Sequence, residues 1–192
     1  LEVVVMIYAG QINKDIVAQL QANETNAMGF SGADGNLIQS EKRNHPTIDY
    51  GFVGDVDGVN TNLLKKLLEY GIKLVIAPIT HDGHGQLLNT NADTIASTLA
   101  VGLSKKYAVR LIYCFEKKGV LENVEDPNSV ISLITKQKYH QLIAENKLFD
   151  GILPKIDNAF DAIDNGVNEV LIGDANDLLQ NVTIHTIGTL IK

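Results

Sequence analysis

Apolar positions along this chain fall into two alternating periods. From Asn60 to Tyr70, Leu63, Leu64, Leu67 and Leu68 recur at the spacing of one helical face, and Gly71 supplies a stop. The run Leu74-Val75-Ile76-Ala77-Pro78-Ile79 follows directly and reads as a buried strand. Ala92 to Lys105 reads as a helix feeding a second strand-like run, Arg110 to Phe115, so that these pieces compose a βαβ unit. Lys138 to Asn146 and Pro154 to Asn165 read as further helices, the second with proline in its first turn and Gly166 as its stop. Val170 to Ile172 is the next short strand. Strands alternating with crossover helices predict an α/β fold with a mainly parallel sheet.

Two stretches depart from this alternation. Between Asn26 and Phe52, short strand signals at Ala27 to Phe30, Leu37 to Ser40 and Ile48 to Phe52 are broken by Gly and Asp turns, which predicts a β-hairpin excursion. The glycine clusters Ser31-Gly32-Ala33-Asp34-Gly35-Asn36 and Gly54-Asp55-Val56-Asp57-Gly58 read as its turns, and neither matches a dinucleotide or P-loop fingerprint. Leu1 to Tyr8 stays open: its β-branched residues favour a strand, whereas the following Ile12, Ile16, Leu20 spacing favours a helix.

Composition narrows the functional classes. With 192 residues, 45% hydrophobic and 20% charged, the chain has ordinary globular composition and the size of one domain. No apolar run approaches the roughly 20 residues of a membrane span. A net charge of −7, with basic residues confined to pairs such as Lys65-Lys66, Lys105-Lys106 and Lys117-Lys118, argues against a nucleic-acid partner. Cys114 is the one cysteine, so neither a disulfide framework nor a cysteine zinc site is available, and a reducing cytosol fits. Its flank Leu111-Ile112-Tyr113 predicts a buried, inert strand position. The chain opens at Leu1 without Met and without the basic region of a signal peptide, which reads as truncation.

Three constellations carry chemistry. Asp82 to Asp93 lies between a strand and a helix, where α/β sheets bind ligands and where helix N–H groups receive anions. Asn89 and Asn91 could hold a substrate, with Asp93 in the first helical turn. Capping by either Asn, with Asp93 as a macrodipole partner, stands beside that reading. In Phe149-Asp150-Gly151-Ile152-Leu153-Pro154-Lys155, a lysine occupies a first helical turn, which favours anions, so a phosphate between the two would explain it; a solvated surface lysine is the alternative. Phe115 to Leu121 ends a strand where a nucleotide base could lie, or is an ordinary polar loop. His81 and His84 lack a third ligand at metal-site spacing, and no metal site is assigned.

Taken together, Asn13-Lys14, Ser31 to Gly35, Val75 to Ile79, Gly85 to Asp93, Asp150 to Lys155 and Gly188-Thr189 make the chain resemble the acetylglutamate kinases of the amino-acid kinase family, over essentially its whole length. The resemblance implies a three-layer αβα sandwich: a single kinase domain with a substrate-side hairpin region at 26–60 and a nucleotide-binding part at 74–192. It implies ATP-dependent phosphorylation, with Mg2+, of the γ-carboxylate of an N-acylated glutamate, N-acetyl or N-succinyl, towards arginine, in a cytoplasmic homodimer. Carried over by motif, Asn89 and Asn91 would bind substrate, Lys155 would stabilise the transferring phosphoryl group and Asp93 would orient the catalytic lysines. Glu116, Lys117, Lys118, Gly119, Val120 and Leu121, with Leu148 and Phe149, would hold ATP; the family commonly has Asp at the position of Glu116. A second lysine, a glycine-rich loop and an arginine of the family have no counterpart after Leu1, so the chain by itself is expected to be inactive. A non-catalytic amino-acid-binding module, or an aspartate or glutamate 5-kinase, are the alternatives.

Overall fold

A computed structural model describes residues 1–148 and 151–192. The chain divides into two compact units, Leu1–Gly102 and Leu103–Lys192.

The first unit opens with helix, which settles the undecided N-terminal stretch. Glu2–Val5 (α1), a π-helical Met6–Ile12 and Asn13–Ala22 (α2) follow one another directly. Asn13 is buried at 2% exposure, and its side-chain amide donates to the Val75 carbonyl at 2.8 Å, pinning the helix to the sheet. Ala27–Phe30 (β1) is no part of a hairpin. It pairs in parallel with Lys73–Ile76 (β4), the two being joined through Thr61–Glu69 (α3) in a βαβ crossover. The Asn60 side chain caps α3 by accepting the Leu63 N–H at 3.1 Å, and Leu64 is buried beneath it.

The hairpin excursion exists with shifted boundaries. Ile38–Lys42 (β2) pairs antiparallel with Gly54–Val59 (β3), so the glycine-rich segment read as a turn is a strand, and Ile48 to Phe52 is not one. β3 is an edge strand whose Asp55 and Asp57 are exposed, so backbone pairing rather than apolar patterning defines it. The run Leu74 to Ile79 also divides. β4 stops at Ile76, and after Ala77-Pro78 the chain enters Ile79–His81 (β5), which pairs in parallel with β2 and antiparallel with Leu87–Asn89 (β6). Proline lacks the N–H that a continuous ladder needs. Ala92–Ser104 (α4) follows.

In the second unit, Arg110–Phe115 (β7), Leu133–Ile134 (β8), Glu169–Asp174 (β9) and Thr189–Ile191 (β10) form one sheet in the order β7-β9-β10-β8. Pairing is parallel for β7/β9 and β8/β10 and antiparallel for β9/β10. The helix α4 follows β6, and the two strand runs read as flanking it in one βαβ unit have partners within their own units: β4 pairs with β1, and β7 with β9. Val170, Leu171 and Ile172 are fully buried on both faces of interior strand β9, each worth about 1.5–3 kcal/mol of apolar burial. Lys136–Ala144 (α5) and Leu153–Asp164 (α6) supply Leu142, Ile156 and Ala159 to this core, with Ile152 just before α6 also buried. Cys114 is exposed, contrary to the sequence expectation: β7 alternates, and it is Leu111 and Tyr113 that point inward.

At the start of the β7/β9 pair, Arg110 meets Glu169 directly, and Lys192 reaches the same carboxylate at 3.1 Å. Burial works to raise the Glu169 pKa, but the hydrogen bonds from Lys192 and Arg110 outweigh it and hold the carboxyl below its ordinary range. A depressed carboxyl contributes stability that is complete above its unfolded pKa of about 4.3 and is lost as pH falls through the folded value. The melting-temperature difference between wild type and Glu169→Gln is therefore expected to be full at pH 6–7 and to shrink below about pH 4. A difference independent of pH would refute the ion-pair account.

Candidate active site

The sequence candidates fall into two groups, one in each unit. In the first unit, β5 and β6 form a hairpin whose turn is built on Asp82. Its carboxylate accepts the N–H groups of His84 at 2.7 Å and Gln86 at 3.1 Å. The His84 N–H above all holds this carboxyl below its ordinary pKa. Asn89 is the last residue of β6, with its side chain exposed and its N–H donating to the Phe52 carbonyl at 2.8 Å. The next residue turns inward: Thr90 Oγ1 lies 2.8 Å from Thr80 Oγ1 and donates to the Gly54 carbonyl at 3.2 Å, both threonines being buried. That buried pair fixes the junction between β6 and α4 and was not among the sequence candidates. Asn91 accepts the Thr94 N–H at 3.1 Å and so caps α4, while Asp93 sits half-buried in the first turn.

The second group gathers at the carboxyl end of β7. Parallel β7 and β9 end on the same side of their sheet, and antiparallel β10 begins there. Lys155 stands in the first turn of α6; among the described residues that turn holds no acidic side chain and no side-chain cap, and the Lys155 and Ile156 N–H groups both donate to the Ile152 carbonyl at 3.1 Å. Its Nζ lies 5.5 Å from the ring centre of Tyr113 and 5.9 Å from that of Phe115, so a helix N-terminus and an ammonium converge on the strand end. The loop that leaves Phe115 changes character along its length. Glu116 and Lys118 are exposed and Lys117 half-buried, whereas Gly119, Val120 and Leu121 are buried. Val120 donates its N–H to Thr189 Oγ1 at 2.7 Å and accepts the Ile131 N–H at 2.8 Å. Leu148 is half-buried, and its neighbour Lys147 reaches Glu122 at 3.4 Å, just past the loop. Phe149 and Asp150 lie outside the described residues.

This end is electrostatically suited to a polyanion. It combines the positive end of the α6 dipole with the Lys155 ammonium at the place where an open sheet accepts ligands. Among the described residues, no three His, Cys, Asp or Glu side chains cluster as they would around a metal ion.

The sequence profile of the amino acid kinase family matches residues 1–174. The chain belongs to that family. It is 51% identical over 191 residues to an acetylglutamate kinase of Cytophaga hutchinsonii, covering 98% of this chain and 72% of that protein. Against an acetylglutamate kinase of Bacteroides thetaiotaomicron, identity is 50% over 181 residues, or 94% and 70% of the two chains. Among solved structures, carbamate kinase from Giardia matches with a TM-score of 0.68 at 13% identity over 99% of this chain and 70% of that one. That likeness carries the fold alone: a mixed α/β amino acid kinase architecture. No helix among the described residues is long and apolar enough to cross a membrane.

Proposed function

We propose that the protein serves the acetylglutamate kinase reaction of arginine biosynthesis, transfer of the γ-phosphoryl group of ATP to the γ-carboxylate of N-acetyl-L-glutamate. The observation that carries the reading is identity of 51% and 50%, over nearly the whole chain, to proteins named for that activity. A carboxylate with a pKa near 4.3 is ionised at neutral pH, so its oxygen attacks phosphorus without a general base as the bond to the ADP oxygen breaks. What remains is charge control and positioning. Lys155 and the α6 N-terminus meet the transferring phosphoryl group, with Mg2+ arriving on the ATP phosphates as part of the substrate. Asp93, in the first turn of α4, is the catalytic carboxylate of the first unit. Glu116 to Leu121, with Leu148 and Phe149, holds the adenosine. Asn89 contacts the acylglutamate, and Asn91, besides capping α4, lines the same junction. Residues 26–60 form the substrate side. The test is ADP release by the full-length protein with N-acetyl-L-glutamate, N-succinyl-L-glutamate, aspartate or glutamate as acceptor. Release stimulated by aspartate or glutamate alone would replace the reading with another kinase.

Asn89→Ala is expected to raise the KM for acylglutamate about tenfold, the loss of a hydrogen bond to a charged ligand, with the KM for ATP unchanged. An unaltered acylglutamate KM would remove Asn89 from the substrate site.

We also propose a homodimer built on the N-terminal helix. Val3 at 60% and Met6 at 62% exposure, with Ile7, Tyr8, Ile12 and Ile16 each above 40%, leave an apolar stretch that a second copy would cover. Light scattering on wild type and Met6→Glu decides it: the substitution should yield monomers.

A further inference from the structure

The loop assigned to adenosine is held from behind by the last strand, and the hold runs through two side chains outside the assigned site. Thr189 opens β10 fully buried, and its Oγ1 is the acceptor for the Val120 N–H at 2.7 Å. The fit around it is close. A Cβ placed on Gly119 would stand 2.6 Å from that oxygen and 3.0 Å from the Thr189 backbone nitrogen. Thr189 is itself set by Asn181, 1% exposed, whose Oδ1 accepts the N–H groups of both Ile187 and Gly188 at 3.1 Å. Arg110 adds a hydrogen bond to the Thr183 carbonyl at 2.8 Å, tying the intervening turn to the start of β7.

We infer that Thr189 is a positioning residue for nucleotide binding: through the Val120 N–H it fixes the buried half of the 116–121 loop, and Asn181 fixes Thr189. The inference rests on the reading of that loop as the adenosine site. Neither side chain touches ATP. Their effect is to keep Gly119, Val120 and Leu121 from relaxing, so that the exposed half of the loop meets the nucleotide already shaped. A hydroxyl is needed because it accepts the Val120 N–H while rotating its own hydrogen elsewhere; valine has the same shape and no acceptor.

The experiment uses the full-length protein and two readouts. Thr189→Val should speed hydrogen exchange at the Val120 amide, followed by NMR, and weaken the affinity for MgATP about tenfold, as expected for one buried hydrogen bond. Affinity for N-acetyl-L-glutamate should stay within about twofold, and Thr189→Ser should restore both properties. A Val120 amide that stays protected in Thr189→Val would overturn the hold. Exchange that rises while MgATP affinity is unchanged would overturn the placement of adenosine on this loop, and the inference with it. Equal loss of affinity for both ligands would make Thr189 a general structural residue and also overturn it. If Thr189→Val does not fold, Thr189→Ala is read the same way.

Discussion

Lys155→Ala in the full-length protein is expected to lower kcat by about 10²–10³-fold, the usual effect of deleting one preorganised group that meets charge developing in a transition state. The KM values should change little, because ground-state ATP keeps its Mg2+, the loop contacts and the α6 dipole. Folding should be spared. The ammonium lies above the rings of Tyr113 and Phe115, and such contacts contribute about 0.5–1 kcal/mol at partly exposed sites. A normal melting temperature with collapsed turnover is therefore the expected pair of results. Lys155→Arg should rescue poorly, since a planar fork does not replace a compact ammonium. Unchanged kcat in Lys155→Ala would remove the residue from the chemistry. A fall confined to the KM for ATP would make it a binding residue instead.

How much of this was legible beforehand depended on which force defined each element. α3 could be read because burial made it: Leu63, Leu64, Leu67 and Leu68 mark one face, and Asn60 and Gly71 mark its ends. β7 could be read for the same reason, yet Cys114 was misplaced, because an apolar flank does not say which residues of an alternating strand turn outward. β3 was illegible. Its Gly and Asp residues are turn formers locally, and only the antiparallel ladder to β2, a long-range partner, makes them a strand. The N-terminal β-branched residues were ambiguous because the helix they form leaves them largely exposed, so they carry no burial period. Asn89, Asp93 and Lys155, the residues proposed for the site, were visible as motif letters at the ends of recognisable elements. The supports were not. Thr80 meets Thr90 across 10 residues, Asn181 holds the Ile187 and Gly188 N–H groups 6 and 7 residues on, and Thr189 accepts from Val120 across 69, and no local spacing announces a buried hydroxyl acceptor.

Gly188 shows what a motif letter means once its neighbours are known. In the sequence it is half of a Gly-Thr pair; in the fold it lies where β10 begins against β9. A Cβ there would be 2.6 Å from the Ile172 carbonyl oxygen and 3.2 Å from the Gly173 Cα. Both are backbone atoms of the interior strand, so no side chain can swing aside, and relief requires β9 and β10 to part. Gly188→Ala is expected to cost about 1–3 kcal/mol or more, a fall in melting temperature on the order of 5 °C. Gly58 is the control: it lies in strand β3, and nothing stands within 4 Å of a Cβ built on it. Gly58→Ala should leave stability within about 0.5 kcal/mol of wild type or raise it slightly, since alanine has less chain entropy to lose. Similar melting temperatures for the two variants would refute the contact argument. If it holds, Gly188→Ala should also weaken MgATP binding, because parting β10 from β9 moves Thr189 away from Val120, whereas Gly58→Ala should leave that affinity alone.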